Sequence, residues 1–205
     1  MIGIIDYGVG NLFSLRSSFE AIGEKVFVSG NKEELAKADG LILPGVGAFA
    51  DAIAKLRENG LDEFVKEQAE NGKPLMGICL GMQLLFEKSF EYGEHQGLSL
   101  LKGQVVPMQG SIPCELKIPH IGWNALHIKD ESCPLFEELN KDDCVYFVHS
   151  YYAENCEDSL AATTEYGKEL TAAVCKGNVY GCQFHPEKSG SVGMKILRSF
   201  CKLCK

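Results

Sequence analysis

The run Lys73-Pro-Leu-Met-Gly-Ile-Cys-Leu-Gly-Met-Gln83 constrains this chain more than any other segment. A short apolar stretch breaks at Gly77-Ile-Cys-Leu-Gly81 and resumes as a helical pattern. A side chain held between two glycines on a strand-to-helix turn is pushed clear of the sheet, toward the edge where the strands end. Such a turn belongs in a fold whose strands lead into helices. It also singles out Cys79. The helix that begins after the thiol offers unpaired backbone N–H groups and a partial positive charge, which favour thiolate and can hold an oxyanion. A cysteine by itself is a weak signal, because free Cys is commonly buried and inert. The flanking glycines mark this one as a nucleophile.

The rest of the N-terminal half agrees with that fold. Residues 2–5, 25–28, 40–43 and 74–78 form near-continuous apolar runs. Between them, Asn11 caps a pattern with Leu12, Leu15, Phe19 and Ile22 on one face, and Gly23 ends it. Asn31-x-x-Glu34 reads as a capping box, and residues 48–59 and 61–70 carry helical spacing. Apolar strands separated by amphipathic helices predict an α/β fold, an open, mostly parallel sheet flanked by helices. After about residue 93 the segments shorten. Residues 104–108, 120–128, 144–152, 160–165, 171–176 and 179–184 are β-branched or aromatic, so the C-terminal half is expected to add antiparallel strands. A helix over 192–203 closes the chain. With no repeat and no linker, residues 1–205 are expected to share one core.

Bulk properties remove several function classes. A formal net charge of −8 with no Lys/Arg cluster argues against nucleic acid. The opening Met1-Ile-Gly-Ile-Ile-Asp6 has no basic segment ahead of a long apolar core, and no stretch has the length of a membrane span. A cytoplasmic chain without a membrane partner is therefore expected. The nine cysteines are odd in number and scattered, which suits reduced thiols better than a disulfide framework. Cys201-x-x-Cys204 has no second pair at ligand spacing, so no metal is expected, and no other cofactor. The run Tyr7-Gly-Val-Gly-Asn11 invites a dinucleotide reading, but the third glycine position is Phe13 and no acidic residue follows at the required spacing.

A cysteine nucleophile needs a base, and the base needs a group to fix its tautomer. His185-Pro-Glu187 supplies both at the end of an apolar strand, because residues two apart in extended chain project to the same side. The other histidines are weaker: His95 lies in a charged loop, His127 at a strand edge, and His120 and His149 have no carboxylate nearby in sequence. Pro44-Gly-Val-Gly47 follows the third strand, where open parallel sheets place ligand loops. Gly45, Val46 and Gly47 there, together with the Leu80 N–H, are expected to form an oxyanion hole. Gln83 lies one helical turn beyond Cys79 on the same face, within reach of a substrate.

Gly77-Ile-Cys-Leu-Gly-Met-Gln83 with Gln183-Phe-His-Pro-Glu187 resembles the class I glutamine amidotransferases. In that family a Cys-His-Glu triad hydrolyses the side-chain amide of glutamine. Ile4-Ile-Asp-Tyr-Gly-Val-Gly-Asn11, Leu43-Pro-Gly-Val-Gly47, Pro119-His-Ile-Gly-Trp-Asn124, Tyr146-Phe-Val-His-Ser-Tyr151 and His185-Pro-Glu-Lys-Ser189 extend the resemblance to one branch. That branch comprises the glutaminase subunits of imidazole glycerol phosphate synthase, from histidine biosynthesis, and the resemblance spans essentially the whole chain. It implies a glutamine amidotransferase type 1 domain over 1–205 with Cys79, His185 and Glu187 as the triad. It further implies that Gln83, His149, Ser150 and Tyr151 bind glutamine. A β/α-barrel cyclase subunit is the implied heterodimer partner, receiving ammonia through a shielded channel and making imidazole glycerol phosphate and aminoimidazole carboxamide ribonucleotide. Asn11, Trp123, Tyr146 and Lys188 match positions at or near that interface. The residues alone leave room for a related glutaminase serving another synthase, for example in sugar amination. They also leave room for an elbow-cysteine peptidase or deglycase.

Overall fold

The computed structural model describes residues 1–205. The N-terminal half alternates as its apolar runs predict: β1 (Ile2–Ile5), α1 (Leu12–Ala21), β2 (Val26–Ser29), α2 (Lys32–Leu35), β3 (Gly40–Leu43), α3 (Phe49–Glu58), α4 (Leu61–Glu70), β4 (Leu75–Ile78) and α5 (Leu80–Leu84). Local chemistry sets the boundaries. The Asn11 side chain accepts the Ser14 N–H at 3.4 Å to start α1, and Gly23 follows its end at φ 81°. At α2, Asn31 accepts the Glu34 N–H at 2.9 Å, but the box closes through a third residue. The Ser29 hydroxyl donates to the Glu34 carboxylate at 2.6 Å and accepts the Asn31 N–H at 3.0 Å.

The main sheet has the order β2-β1-β3-β4-β14-β13-β12-β9, where β9 is His127–Ile128, β12 Leu160–Glu165, β13 Glu169–Lys176 and β14 Val179–Cys182. The strands from β2 to β14 pair in parallel, and the remaining three add antiparallel at one edge. Every residue of β1, β3, β4 and β14 is buried, as a sheet covered on both faces requires. Side chains alternate between two cores. Leu41, Leu43 and Leu75 pack with Phe49, Leu56 and Phe64 of α3 and α4, whereas Ile4, Ile42 and Met76 pack on the other face with Phe19 of α1 and Phe200 of α6 (Gly190–Leu203). No helix is long and apolar enough to cross a membrane.

Two smaller sheets stand apart from the main one. Strands β5 (Phe86–Ser89), β6 (His95–Gln96), β7 (Leu101–Pro107) and β11 (Tyr151–Glu154) form one, in the order β11-β7-β5-β6, and β8 (His120–Ala125) pairs with β10 (Cys144–His149) in the other. Two sequence expectations change here. The runs 120–128 and 144–152 are each two strands, broken at Leu126 and Ser150, whose halves belong to different sheets. β5 and β6 lie in a stretch for which the sequence pattern predicts no strand.

Candidate active site

Cys79 ends β4 with φ 54° and ψ −112°, a conformation that non-glycine residues rarely adopt. Its neighbours hold it there. A Cβ at Gly77 would lie 2.6 Å from the Gly81 carbonyl oxygen, and one at Gly81 would lie 1.9 Å from the Leu43 carbonyl oxygen. Both glycines are therefore needed for the chain to reverse this tightly against the end of β3, and the reversal lifts the thiol onto the carboxyl edge of the sheet.

The base reaches the thiol through strand pairing. β14 runs parallel to β4 with Gly181 opposite Gly77 and Cys182 opposite Ile78, and the Cys79 N–H donates to the Cys182 carbonyl at 2.7 Å. Two chains leaving one sheet edge side by side deliver Cys79 and His185 to the same place. The backbone of His185 is then locked to β10: its N–H donates to the Tyr146 carbonyl at 3.0 Å. The Ser189 hydroxyl donates to the His185 carbonyl at 2.6 Å and accepts the Tyr146 N–H at 3.0 Å.

His185 Nδ1 lies 2.8 Å from Glu187 Oε1, with side chains 3% and 1% exposed. A carboxylate accepts only, so Nδ1 carries a proton and the other ring nitrogen is left for Cys79, which lines the same cavity. Burial opposes a charge on this ring, but the hydrogen bonds and negative charges of Cys79 and Glu187 outweigh it and raise its pKa to about 9. Glu187 Oε2 is buried without a hydrogen-bond partner, so His185 is the group that balances this carboxylate.

Cys79 and His185 open into a cavity of about 590 Å³, a size suited to a small metabolite. Leu80, Val46, Gly47, Gln83, His149, Ser150, Tyr151 and Lys188 also line it. Gly45 does not: a Cβ there would lie 2.7 Å from the Gly81 nitrogen, so it serves as the point where the loop packs on the elbow. Asn11, Trp123 and Tyr146 lie outside the cavity. Trp123 is on strand β8; it is exposed and packs against Tyr146 with ring centroids 5.9 Å apart.

His149 sits in a buried chain. Its Nδ1 is 2.9 Å from the Tyr151 carbonyl, its Nε2 is 3.0 Å from His120 Nδ1, and His120 Nε2 is 2.8 Å from Asn124 Oδ1. Acceptors at both ends give room for three N–H groups, while two neutral imidazoles supply two. Burial is the stronger influence, because both rings are almost free of solvent; it lowers the pKa of His120 and pulls that of His149 down to about 4.

The family model of the class-I glutamine amidotransferases matches residues 3–204. The chain belongs to that family. The imidazole glycerol phosphate synthase subunit HisH of Caldanaerobacter subterraneus subsp. tengcongensis is 50% identical over 206 residues, covering 100% of this chain and 99% of that protein. The subunit of the same name from Bacillus licheniformis is 53% identical over 203 residues, covering 98% of this chain and 95% of the other. Among solved structures, a glutamine amidotransferase superposes with a TM-score of 0.77 at 21% identity, covering 99% of this chain and 98% of that one. A chain of PurLQS from Thermotoga maritima gives 0.77 at 20% identity over 100% and 98%.

Four residues of this amidotransferase site carry no role in the sequence reading. Gln183 places Nε2 3.8 Å from the Cys79 sulfur and accepts from Gln83 Nε2 at 2.9 Å. Gln83 Nε2 also donates to the Tyr151 carbonyl at 3.1 Å, so its amide nitrogen is committed to the wall and only its carbonyl is free for a substrate. Glu91 lines the cavity, buried, and accepts the Phe49 N–H at 2.7 Å; burial pushes its pKa up. Ser189 locks His185, and Tyr7 donates to the Pro44 carbonyl at 2.7 Å. Glu91 left no mark in the sequence because it stands in the acidic stretch Glu91-Tyr-Gly-Glu94, which looks like a solvated loop.

Proposed function

We propose that this chain is the glutaminase subunit of an imidazole glycerol phosphate synthase. The succession Glu187–His185–Cys79, opening into a metabolite-sized cavity, supports this above all. With its pKa near 9, His185 rests as an imidazolium beside the sulfur. The Cys79 thiolate adds to the glutamine carboxamide, and the oxyanion meets the Leu80 N–H and the N–H groups of Val46 and Gly47. His185 gives its proton to the departing nitrogen, the C–N bond breaks, and ammonia and a glutamyl thioester result. The now neutral His185 takes a proton from water as the water attacks the thioester; glutamate leaves and the imidazolium–thiolate pair returns. Glu187 holds the ring throughout.

The walls match the other end of glutamine. Glu91 is the carboxylate lining the cavity and suits the α-ammonium group, while Gln83 and the segment His149–Ser150–Tyr151 shape the opposite boundary. Ammonia then passes to a β/α-barrel cyclase subunit in a heterodimer, in the cytoplasm, with residues 1–205 acting as one glutaminase domain. The test is covalent. A diazo-ketone glutamine analogue should add to Cys79, located by mass spectrometry, with no adduct in Cys79→Ala. An unlabelled Cys79, or label carried only by another cysteine, would discard this reading.

A further inference from the structure

The loop that follows β3 is pinned at both ends by side chains from elsewhere in the fold. At its start, the buried Tyr7 hydroxyl, just beyond β1, donates to the Pro44 carbonyl at 2.7 Å. Gly10 crowds Pro44 from a second side, where an added Cβ would meet the proline Cβ at 2.9 Å. Gly45 packs on the Gly81 nitrogen and the Leu80 Cβ. At the loop's far end, the Phe49 N–H is held by the Glu91 carboxylate at 2.7 Å. Between those anchors little touches the chain: Val46 is 44% exposed, and Gly47 sits at φ 92° with open space where a Cβ would be.

We propose that Tyr7 is a positioning residue for the oxyanion loop: its hydroxyl fixes the Pro44–Gly45 peptide, and so aims the N–H groups of Val46 and Gly47 into the cavity. This rests on the glutaminase reading. Proline has no N–H, so the carbonyl is the polar handle by which residue 44 can be oriented. A peptide plane set by one hydrogen bond sets the direction of the next plane along the chain, and oxyanion donors act only when aimed at the charge that develops. Without the phenol oxygen, the buried Pro44 carbonyl loses its partner, and the peptide is free to turn toward another donor. Burial, and after it a negative sulfur at Cys79, resists ionisation of the Tyr7 phenol, so a rival role exists in which the hydroxyl acts on the thiolate itself.

Two labelling reagents separate these roles. Iodoacetamide needs only a reactive thiolate at Cys79, whereas the diazo-ketone glutamine analogue needs a bound amino acid and an aligned oxyanion hole. In the full chain, Tyr7→Phe should slow labelling of Cys79 by the diazo-ketone about tenfold or more and leave iodoacetamide labelling within about twofold of the parent. Glutamine turnover in the complex with the partner subunit should fall in kcat with KM little changed. Replacing Tyr7 by 3-fluorotyrosine, which keeps the hydroxyl, should restore the parent rates and guards against a mere folding defect. Equal slowing of both reagents overturns the proposal in favour of a role on the thiolate or on general packing, and no slowing of either overturns it outright. Failure of the unmutated chain to take the diazo-ketone at all would instead strike the glutaminase reading.

Discussion

At the scale of single residues, the site is governed by two histidines shifted in opposite directions. His185 holds its proton up to about pH 9 because Cys79 and Glu187 bond to it and carry opposite charge, against the pull of burial. Its contribution to stability is therefore complete below the unfolded value of 6.5 and is lost as pH rises through about 9. Nitrogen NMR of the imidazole should show a midpoint near 9, and Glu187→Gln, which removes the charge but keeps the shape, should bring it down by a unit or more. An unchanged midpoint in Glu187→Gln would mean that the carboxylate does not tune the base. His149 works the other way. Burial keeps it neutral to about pH 4, so its stabilising share is present above 6.5 and disappears as pH falls toward 4. That share is on the order of 3 kcal/mol. Acid unfolding followed by circular dichroism should begin at higher pH in the parent than in His149→Gln, once their stabilities at pH 7 are matched. Identical midpoints would assign the acid limb to other groups.

At the scale of elements, legibility followed how local the cause was. The elbow could be read because two glycines at fixed spacing around Cys79 state a backbone requirement that the structure meets with φ 54° at Cys79. Strands β1, β3 and β4 could be read because burial on both faces writes itself as unbroken apolar runs. The division of 120–128 and 144–152 could not, because β8 and β9 share one continuous extended pattern and differ only in whether β10 or β12 pairs with them. Glu91 and Tyr7 escaped for the same reason: each acts through a partner dozens of residues away, a distance over which sequence spacing carries no sign. The elbow also yields a severe prediction. Gly81→Ala adds a carbon that would lie 1.9 Å from the Leu43 carbonyl oxygen, so β3 and α5 must separate. The expected cost is about 1–3 kcal/mol of overpacking, seen as a lower urea midpoint, with Cys79 labelling by the diazo-ketone reduced by more than the stability loss explains. A variant of parent stability and reactivity would show that the close approach of loop and elbow is not what shapes the site.

At the scale of the whole molecule, the cavity and an exposed aromatic surface are neighbours. Lys188 lines the cavity and also lies 5.9 Å from the centre of the Tyr146 ring, and Tyr146 packs on Trp123. Ile121 and Trp123 stand 58% and 55% exposed on β8, a strand paired only with β10 and outside the main sheet. Large apolar side chains left in water around a charged residue are the composition of a binding centre rather than of a fold's core. A subunit seated there would border the cavity, because Lys188 belongs to both. Folding and partner binding should therefore come apart under mutation. Trp123→Ala removes an exposed ring, so the thermal midpoint should hardly move, while affinity for the partner subunit should fall at least tenfold, as loss of a buried tryptophan anchor at an interface does. Phe200→Ala removes a ring that is fully buried under the main sheet, so stability should fall by about 3–5 kcal/mol with affinity of the remaining folded protein unchanged. Calorimetric titration with the partner subunit and thermal unfolding of both variants decide the matter. If Trp123→Ala binds as the parent does, the partner docks elsewhere and the aromatic patch on β8 has no part in the interface.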